Sequence, residues 1–401
     1  MPPPSATQSA STSGGGMRTH YLVILAISLC HMINDVMQSL LAAIYPLLQA
    51  EFALSFAQIG LMTFAFMGTA SVLQPLIGMA TDRRPVPQSM TFGMGSTLTG
   101  LVFLAFGTSY GWLLAGAALI GIGSAVFHPE ASRVARAAAG GKFGTAQSLF
   151  QVGGNTGSAL GPLLAAFIVV PLGRAAVGAF AAAALLGMTI LAAVGRWHES
   201  YRRAAAARPT ATAPARLPRG KVVLAIAILA FLVFSKNIYT ASISSYYIFF
   251  LIERFEMSTQ GAQLMLFLFL GAAALGVMVG GVLGDRFGVR GVIWFSILGV
   301  LPFTLLLPHV PLLWTGVLTV VIGFVLASAF PAIIVFAQEL VPGRVGMIAG
   351  LFFGFAFGIG GLAAALLGVL ADARGIVYVY QLCAFLPALG LLTIFLPRLD
   401  R

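Results

Sequence analysis

Apolar residues run along this chain in long uninterrupted stretches, each ending in a short connector that carries glycine, proline or charge. A helix needs about 20 residues to cross the hydrocarbon core of a bilayer. Barrel strands are shorter and alternate polar with apolar positions. The pattern therefore predicts membrane helices, with every backbone hydrogen bond closed inside its own segment. Twelve spans are expected: 21–48, 57–79, 88–107, 112–135, 144–169 and 172–195, then 221–250, 260–283, 291–309, 312–337, 345–370 and 375–397. They group into an N-terminal six-helix bundle, 18–195, and a C-terminal six-helix bundle, 221–401. Between them, 196–220 is rich in arginine and proline and reads as a solvated cytoplasmic linker. Residues 1–17, rich in Pro, Ser, Thr and Gly, read as a disordered cytoplasmic tail.

Composition supports this all-α polytopic reading. Of 401 residues, 59% are hydrophobic and 8% charged, and the mean hydropathy is +0.98. A soluble domain carries about 25% charged residues. The net charge of +11 sits mostly in the connectors, so it argues for topology and against a nucleic-acid partner. With the N-terminus inside, only Arg174, Arg254 and Arg374 fall in opposite-side connectors, and Lys236 alone falls within a span. That bias places both termini in the cytoplasm. Cys30 and Cys383 lie in apolar runs and read as packing residues, not a disulfide framework.

One loop occurs twice. Gly78-Met79-Ala80-Thr81-Asp82-Arg83 and Gly281-Val282-Leu283-Gly284-Asp285-Arg286-Phe287-Gly288-Val289-Arg290 each follow the second span of their half, at a constant offset. This predicts a duplicated transporter. Gly78 and Gly281 allow close helix approach. Asp82 and Asp285 can meet a positive helix end or a neighbouring arginine, as a releasable latch; a solvated tight turn is the other reading. In the fifth span Gly157 and Gly161 form a small-residue face, and Pro162 predicts a kink. Glu339, at the end of the tenth span, reads as a hinge or gate residue.

Polar groups at membrane depth are the candidate chemistry. His31, Asn34, Asp35 and Gln38 share one face of the first span. Asp35 is a candidate for reversible protonation, with His31 sharing or tuning the proton; a static polar network is the alternative. The fourth span ends in Phe127-His128-Pro129-Glu130-Ala131-Ser132-Arg133. Glu130 is a second proton candidate, while His128 and Arg133 either reach a cavity or mark a snorkelling helix end. His128 and Glu130 lack a metal-binding spacing. The loop offset carries Lys236 to the neighbourhood of Asp35, so Lys236 either pairs with Asp35 or attracts an anionic substrate. Gln151, Asn155, Tyr239 and Tyr246 are expected to add hydrogen bonds around a ligand.

These residues resemble the major facilitator superfamily. The Gly281–Arg290 loop matches that family's hallmark loop between its eighth and ninth helices; Gly78–Arg83 matches its first part, since Arg84-Pro85-Val86 replaces the rest. The resemblance implies two six-helix bundles around a central cavity, alternating access and no enzymatic chemistry. Gly157-x-x-x-Gly161-Pro162 is similar to the antiporter motif of the fifth helix, without its following glycine pair. His31–Asp35, Phe127–Arg133, Phe150–Asn155, Phe234–Lys236 and Ser242–Tyr247 further resemble a bacterial inner-membrane drug exporter within that family. What that implies is proton-driven antiport of a small anionic phosphonate, by a monomer among lipids, with protons as coupling ion and no cofactor or metal. Symport of a small anionic or polar metabolite is the alternative.

Overall fold

The computed structural model describes residues 19–54, 56–206, 218–257 and 259–397. The tail expected at 1–17 lies outside them, as do 207–217 of the expected linker. The first half holds α1 (Tyr21–Ala43), α2 (Tyr45–Phe52), α3 (Phe56–Arg83), α4 (Ser89–Phe106), α5 (Tyr110–Ala138), α6 (Phe143–Leu164), the short α7 (Val170–Leu172) and α8 (Phe180–Ala206). The second holds α9 (Arg219–Phe255), α10 (Thr259–Phe287), α11 (Val289–Leu298), α12 (Leu301–Leu306), α13 (Leu312–Ala327), α14 (Ala329–Leu340), α15 (Val345–Arg374) and α16 (Ile376–Cys383). A final 3-10 stretch spans Leu386–Phe395.

Eleven segments among the described residues are long and apolar enough to cross a membrane. The expected segment 144–169 is helical but is not one of them. Gln147, Gln151, Asn155 and several Ser and Thr residues lower the hydropathy of α6. Two expected spans, 291–309 and 312–337, remain long and apolar enough to cross but are interrupted near prolines. The span expected at 291–309 is broken into α11, α12 and a 3-10 turn, with Pro302 opening α12. The span expected at 312–337 is divided at Ser328, just before Pro331, which has no N–H for the helical ladder. No break occurs at Pro162 itself: α6 continues to Leu164, and the irregularity appears next, as a π-helical turn at Ala165–Val169. α8 runs on to Ala206, so the start of the segment read as a linker is helix.

Glycine decides which helices touch most closely. A Cβ on Gly153 would lie 2.0 Å from the Ser28 carbonyl oxygen, and one on Gly157 would lie 2.3 Å from that of Met32. A Cβ on Gly161 would meet Ser39 Oγ. The small-residue face of α6 is thus the seat of the α1 backbone. The two halves meet in the same way. A Cβ on Gly78 of α3 would lie 2.2 Å from the Gly346 carbonyl oxygen of α15, and one on Gly281 of α10 would lie 2.3 Å from that of Gly144 of α6. Gly350 and Gly354 of α15 likewise sit on the backbone of α3 at Gln74 and Ser71, and Ser71 Oγ donates to the Gly354 carbonyl at 2.9 Å.

Gly157→Val should separate α1 from α6 and cost about 3 kcal/mol, the upper range for overpacking. Detergent-solubilised protein should show a lower Tm than wild type, whereas Gly271→Val, at a glycine with open space around it, should unfold with the wild type.

Candidate functional site

The packing of α5 against α1 brings three buried side chains together. His31 and Asp35 are one turn apart on α1, and His128 comes from α5. His31 Nε2 lies 3.2 Å from His128 Nε2 and 3.4 Å from Asp35 Oδ2; His128 Nε2 lies 3.8 Å from Asp35 Oδ1. The opposite nitrogens are already committed. His31 Nδ1 donates to the Phe150 carbonyl at 2.8 Å, and His128 Nδ1 donates to the Ser124 carbonyl at 2.9 Å. A carbonyl can only accept, so both Nδ1 atoms carry hydrogen. In the neutral rings both Nε2 atoms are then bare lone pairs, facing each other and a carboxylate. Adding one proton turns the Nε2–Nε2 approach into a hydrogen bond. The three ligand atoms lie within 4.8 Å of one another, close enough to share a proton or a cation. The contributions of different helices explain why no metal-type spacing is visible along the chain.

A polar collar fixes the carboxylate. Asn34 Nδ2 and Gln38 Nε2 each donate to Asp35 Oδ1 at 3.1 Å, and Ser124 Oγ donates to Gln38 Oε1 at 3.1 Å. Gly154 has no side chain because a Cβ there would lie 2.4 Å from the His31 ring and 2.9 Å from Asp35 Oδ2. Phe150 stacks on His31 with centroids 4.1 Å apart.

Lys236 lies elsewhere. It is half-buried on α9, with its ammonium 5.3 Å from the centre of the Phe330 ring. Among the described residues it makes no ion pair, so the expected pairing with Asp35 is absent; Asp35 is engaged by the two histidines instead. Between the two charges stands a run of rings. Phe353 of α15 is 5.1 Å from His128 and 5.4 Å from Phe330, centroid to centroid.

Glu130 and Arg133 do not join the triad. Arg133 donates to Asp82 Oδ1 at 2.6 Å and to Thr81 Oγ1 at 3.0 Å, and it pairs with Glu130. Asp82 in turn accepts from Gly346 N at 3.0 Å and Met347 N at 2.8 Å, capping the first turn of α15 in the other half. Asp285 makes the matching contact in reverse, accepting from Gly144 N and Thr145 N at 2.8 Å and Thr145 Oγ1 at 2.7 Å, at the start of α6. Each repeated loop therefore ties its own half to a helix start of the other. Between them, Gln338 of α14 donates to Ser132 Oγ, which donates to Gln147 Oε1, both at 3.0 Å. In this conformation the face bearing Asp82 and Asp285 is closed. A surface pocket of about 280 Å³ on this face is lined by Arg133, Arg136, Phe143, Tyr201 and Val345, away from Lys236.

The remaining expected residues scatter. Gly288 has φ +88°, a left-handed geometry that favours glycine, and it opens α11. Arg290 donates to the Ile394 carbonyl at 2.9 Å. Arg83 and Arg286 are exposed, and Glu339 is partly buried near the end of α14. Gln151 and Asn155 are partly exposed on α6. Tyr239 is buried in the core of the second half, and Tyr246 packs against that core. Sequence reasoning missed Ser124, Phe150, Gly154 and Phe353 as site components. The Gly153-Gly154 pair was a usable signal for close approach; nothing local marks the other three.

Comparison with known proteins identifies the family and the fold. The Major Facilitator Superfamily profile matches residues 27–365 and 237–401. The chain is 58% identical over 397 residues to the fosmidomycin resistance protein of Escherichia coli (strain K12), covering 99% of this chain and 97% of that one. It is 41% identical to the uncharacterized MFS-type transporter YfnC of Bacillus subtilis (strain 168), covering 94% and 93%. Among solved structures, its fold is similar to that of the transporter FucP in the outward conformation, with TM-score 0.71, 16% identity and coverage of 94% and 99%. It is also similar to that of the human organic anion transporter MFSD10, with TM-score 0.72, 16% identity and coverage of 95% and 100%. The helical fold, the repeated loops and these matches together make the chain a member of the Major Facilitator Superfamily, a non-enzymatic secondary transporter.

Proposed function

We propose that this protein is a proton-coupled antiporter that exports fosmidomycin or a related small anionic drug across the bacterial inner membrane. In this reading it works as a monomer of two six-helix bundles, with both termini and the Asp82 face in the cytoplasm. The observation that carries the proton part is the triad: two imidazoles whose Nδ1 hydrogens are committed to carbonyls, with their Nε2 atoms turned toward each other and toward Asp35. This closed geometry calls for a proton, which is loaded while the cavity faces outward. His128 thereby takes a proton role beside His31 and Asp35, and Glu130 serves the latch.

Lys236 supports the choice of cargo. A cation at membrane depth with no ion-pair partner among the described residues favours an anion. A phosphonate offers the charge and acceptor oxygens that an ammonium can bind. Asn34 Oδ1 and Gln151 Oε1 are buried without hydrogen-bond partners among the described residues, so polar atoms remain available for a ligand. The close relative in Escherichia coli confers fosmidomycin resistance by name, which supports the outward direction. One charge argument favours symport instead. The proton-loaded triad, counted as one imidazolium, one neutral imidazole and one carboxylate, has no net charge, and it tolerates an anion on Lys236 better than the unloaded triad.

Inside-out vesicles with an imposed proton gradient separate the two. Gradient-driven fosmidomycin uptake into the vesicles supports export. Uptake only when proton and cargo gradients run the same way supports symport, and no movement by folded protein removes the drug assignment. Asp35→Asn should abolish gradient-driven accumulation while leaving drug binding measurable by calorimetry. Lys236→Met should weaken that binding roughly tenfold or more, as expected for losing a charged hydrogen-bond partner worth about 1.5–3 kcal/mol. Asp82→Asn removes the negative charge at the start of α15 and should weaken that tie by up to about 1 kcal/mol. A cysteine placed at buried Gln338, with Cys30 and Cys383 replaced, should then react faster with an impermeant thiol reagent in inside-out vesicles.

A further inference from the structure

We propose that Phe353 is a positioning residue that seals the His31–Asp35–His128 triad from the cytoplasmic face and links it to the latch; this rests on the transport reading above. Its ring is 3% exposed. It stands between the two halves, 5.1 Å from His128 and 6.3 Å from Phe150 on one side, and 5.4 Å from Phe330 on the other. Phe330 carries Lys236 on its ring. The rings of Phe353 and Phe150 thus lie against the triad from two different helices.

Their depth matters. At 1.5 Å per residue, Phe150 is about 10 Å and Phe353 about 12 Å from the latch-side ends of their helices, whereas His31 and His128 are each about 15 Å from theirs. The two phenyl rings therefore lie on the cytoplasmic side of the imidazoles. While they stay in place, they hold apolar surface against the imidazoles on that side, and a proton cannot pass a dry aromatic layer without water or a titratable group.

The ring is also tied to the latch. Asp82 holds Gly346 and Met347 at the start of α15. Gly350 and Gly354 flank Phe353 and rest on the α3 backbone without intervening side chains. A shift of α15 away from Asp82 must carry Phe353 with it, opening the triad toward the cytoplasm only when the latch releases. Proton release is thereby confined to the inward-facing state. Removing the ring leaves a space beside His128 in which water has polar partners in the triad, so protons can leave without the conformational change.

The test is cargo-free proton entry into proteoliposomes under an imposed gradient, read with an enclosed pH-sensitive dye. Phe353→Ala should admit protons several-fold faster than wild type, Phe353→Tyr should be tight, and Phe355→Ala, which removes an exposed ring on the same helix, should also be tight. Size-exclusion profiles establish folding, and Phe353→Leu takes the place of the alanine variant if that one does not fold. A folded Phe353→Ala or Phe353→Leu protein as tight as wild type overturns the proposal, as does equal leak in Phe355→Ala. The assay contains no drug. Failure of fosmidomycin transport in the wild type thus counts against the cargo assignment alone, and a tight Phe353 variant counts against the seal even where the drug is exported.

Discussion

Two imidazole rings, each tied through Nδ1 to a backbone carbonyl, are held with their remaining nitrogens 3.2 Å apart in a site from which water is largely excluded. Such an arrangement cannot be indifferent to a proton. Without one, lone pairs face lone pairs and a carboxylate; with one, the same atoms form hydrogen bonds. The surrounding structure serves to impose that proximity. α6 must sit on α1 closely enough for Phe150 to reach His31, and glycines at 153, 154 and 157 remove the side chains that would prevent it. α5 must present His128 from the other side.

The closed face follows a related logic. A carboxylate at a helix start accepts two backbone N–H groups that otherwise lack partners. Asp82 and Asp285 do this across the boundary between the halves, in opposite senses. The two ties are unequal. Asp82 is gripped by Arg133, which also holds Glu130, whereas Asp285 is supported by the hydroxyl of Thr145. The two halves share the backbone contact and differ in the charges around it. The more heavily charged tie lies on α15, the helix whose phenyl ring stands against the triad.

Much of this architecture was readable from the residues in order. Span length and the repeated Gly–Asp–Arg loop required only local counting, because the bilayer imposes a fixed thickness and forbids unsatisfied backbone. His31 and Asp35 were visible as partners because helical periodicity places them one turn apart. Gly157 and Gly161 were visible as a packing face, though not the helix that would fill it. The polar α6, whose own glutamines and asparagine lower its hydropathy, the interruptions around Pro302 and Ser328, and the helical extension of α8 were less legible, since a span count does not say where a helix bends or stops.

By itself, then, the amino-acid order determined a duplicated helical membrane protein with a carboxylate, two histidines and a lysine at depth. Local physics suffices for that, because a side chain too costly to leave in lipid marks an interior. Which of those groups meet was decided by tertiary structure alone. Asp35 could have paired with Lys236, and Glu130 with the histidines. Instead the crossing of α1, α5 and α6 placed His128 beside Asp35, the close contact of α3 and α15 drew Arg133 and Glu130 to Asp82, and Lys236 was left facing an aromatic ring. Charges separated by tens or hundreds of residues choose partners by the geometry of the helices that carry them, and that geometry is set by backbone contacts at glycines far from the charges themselves.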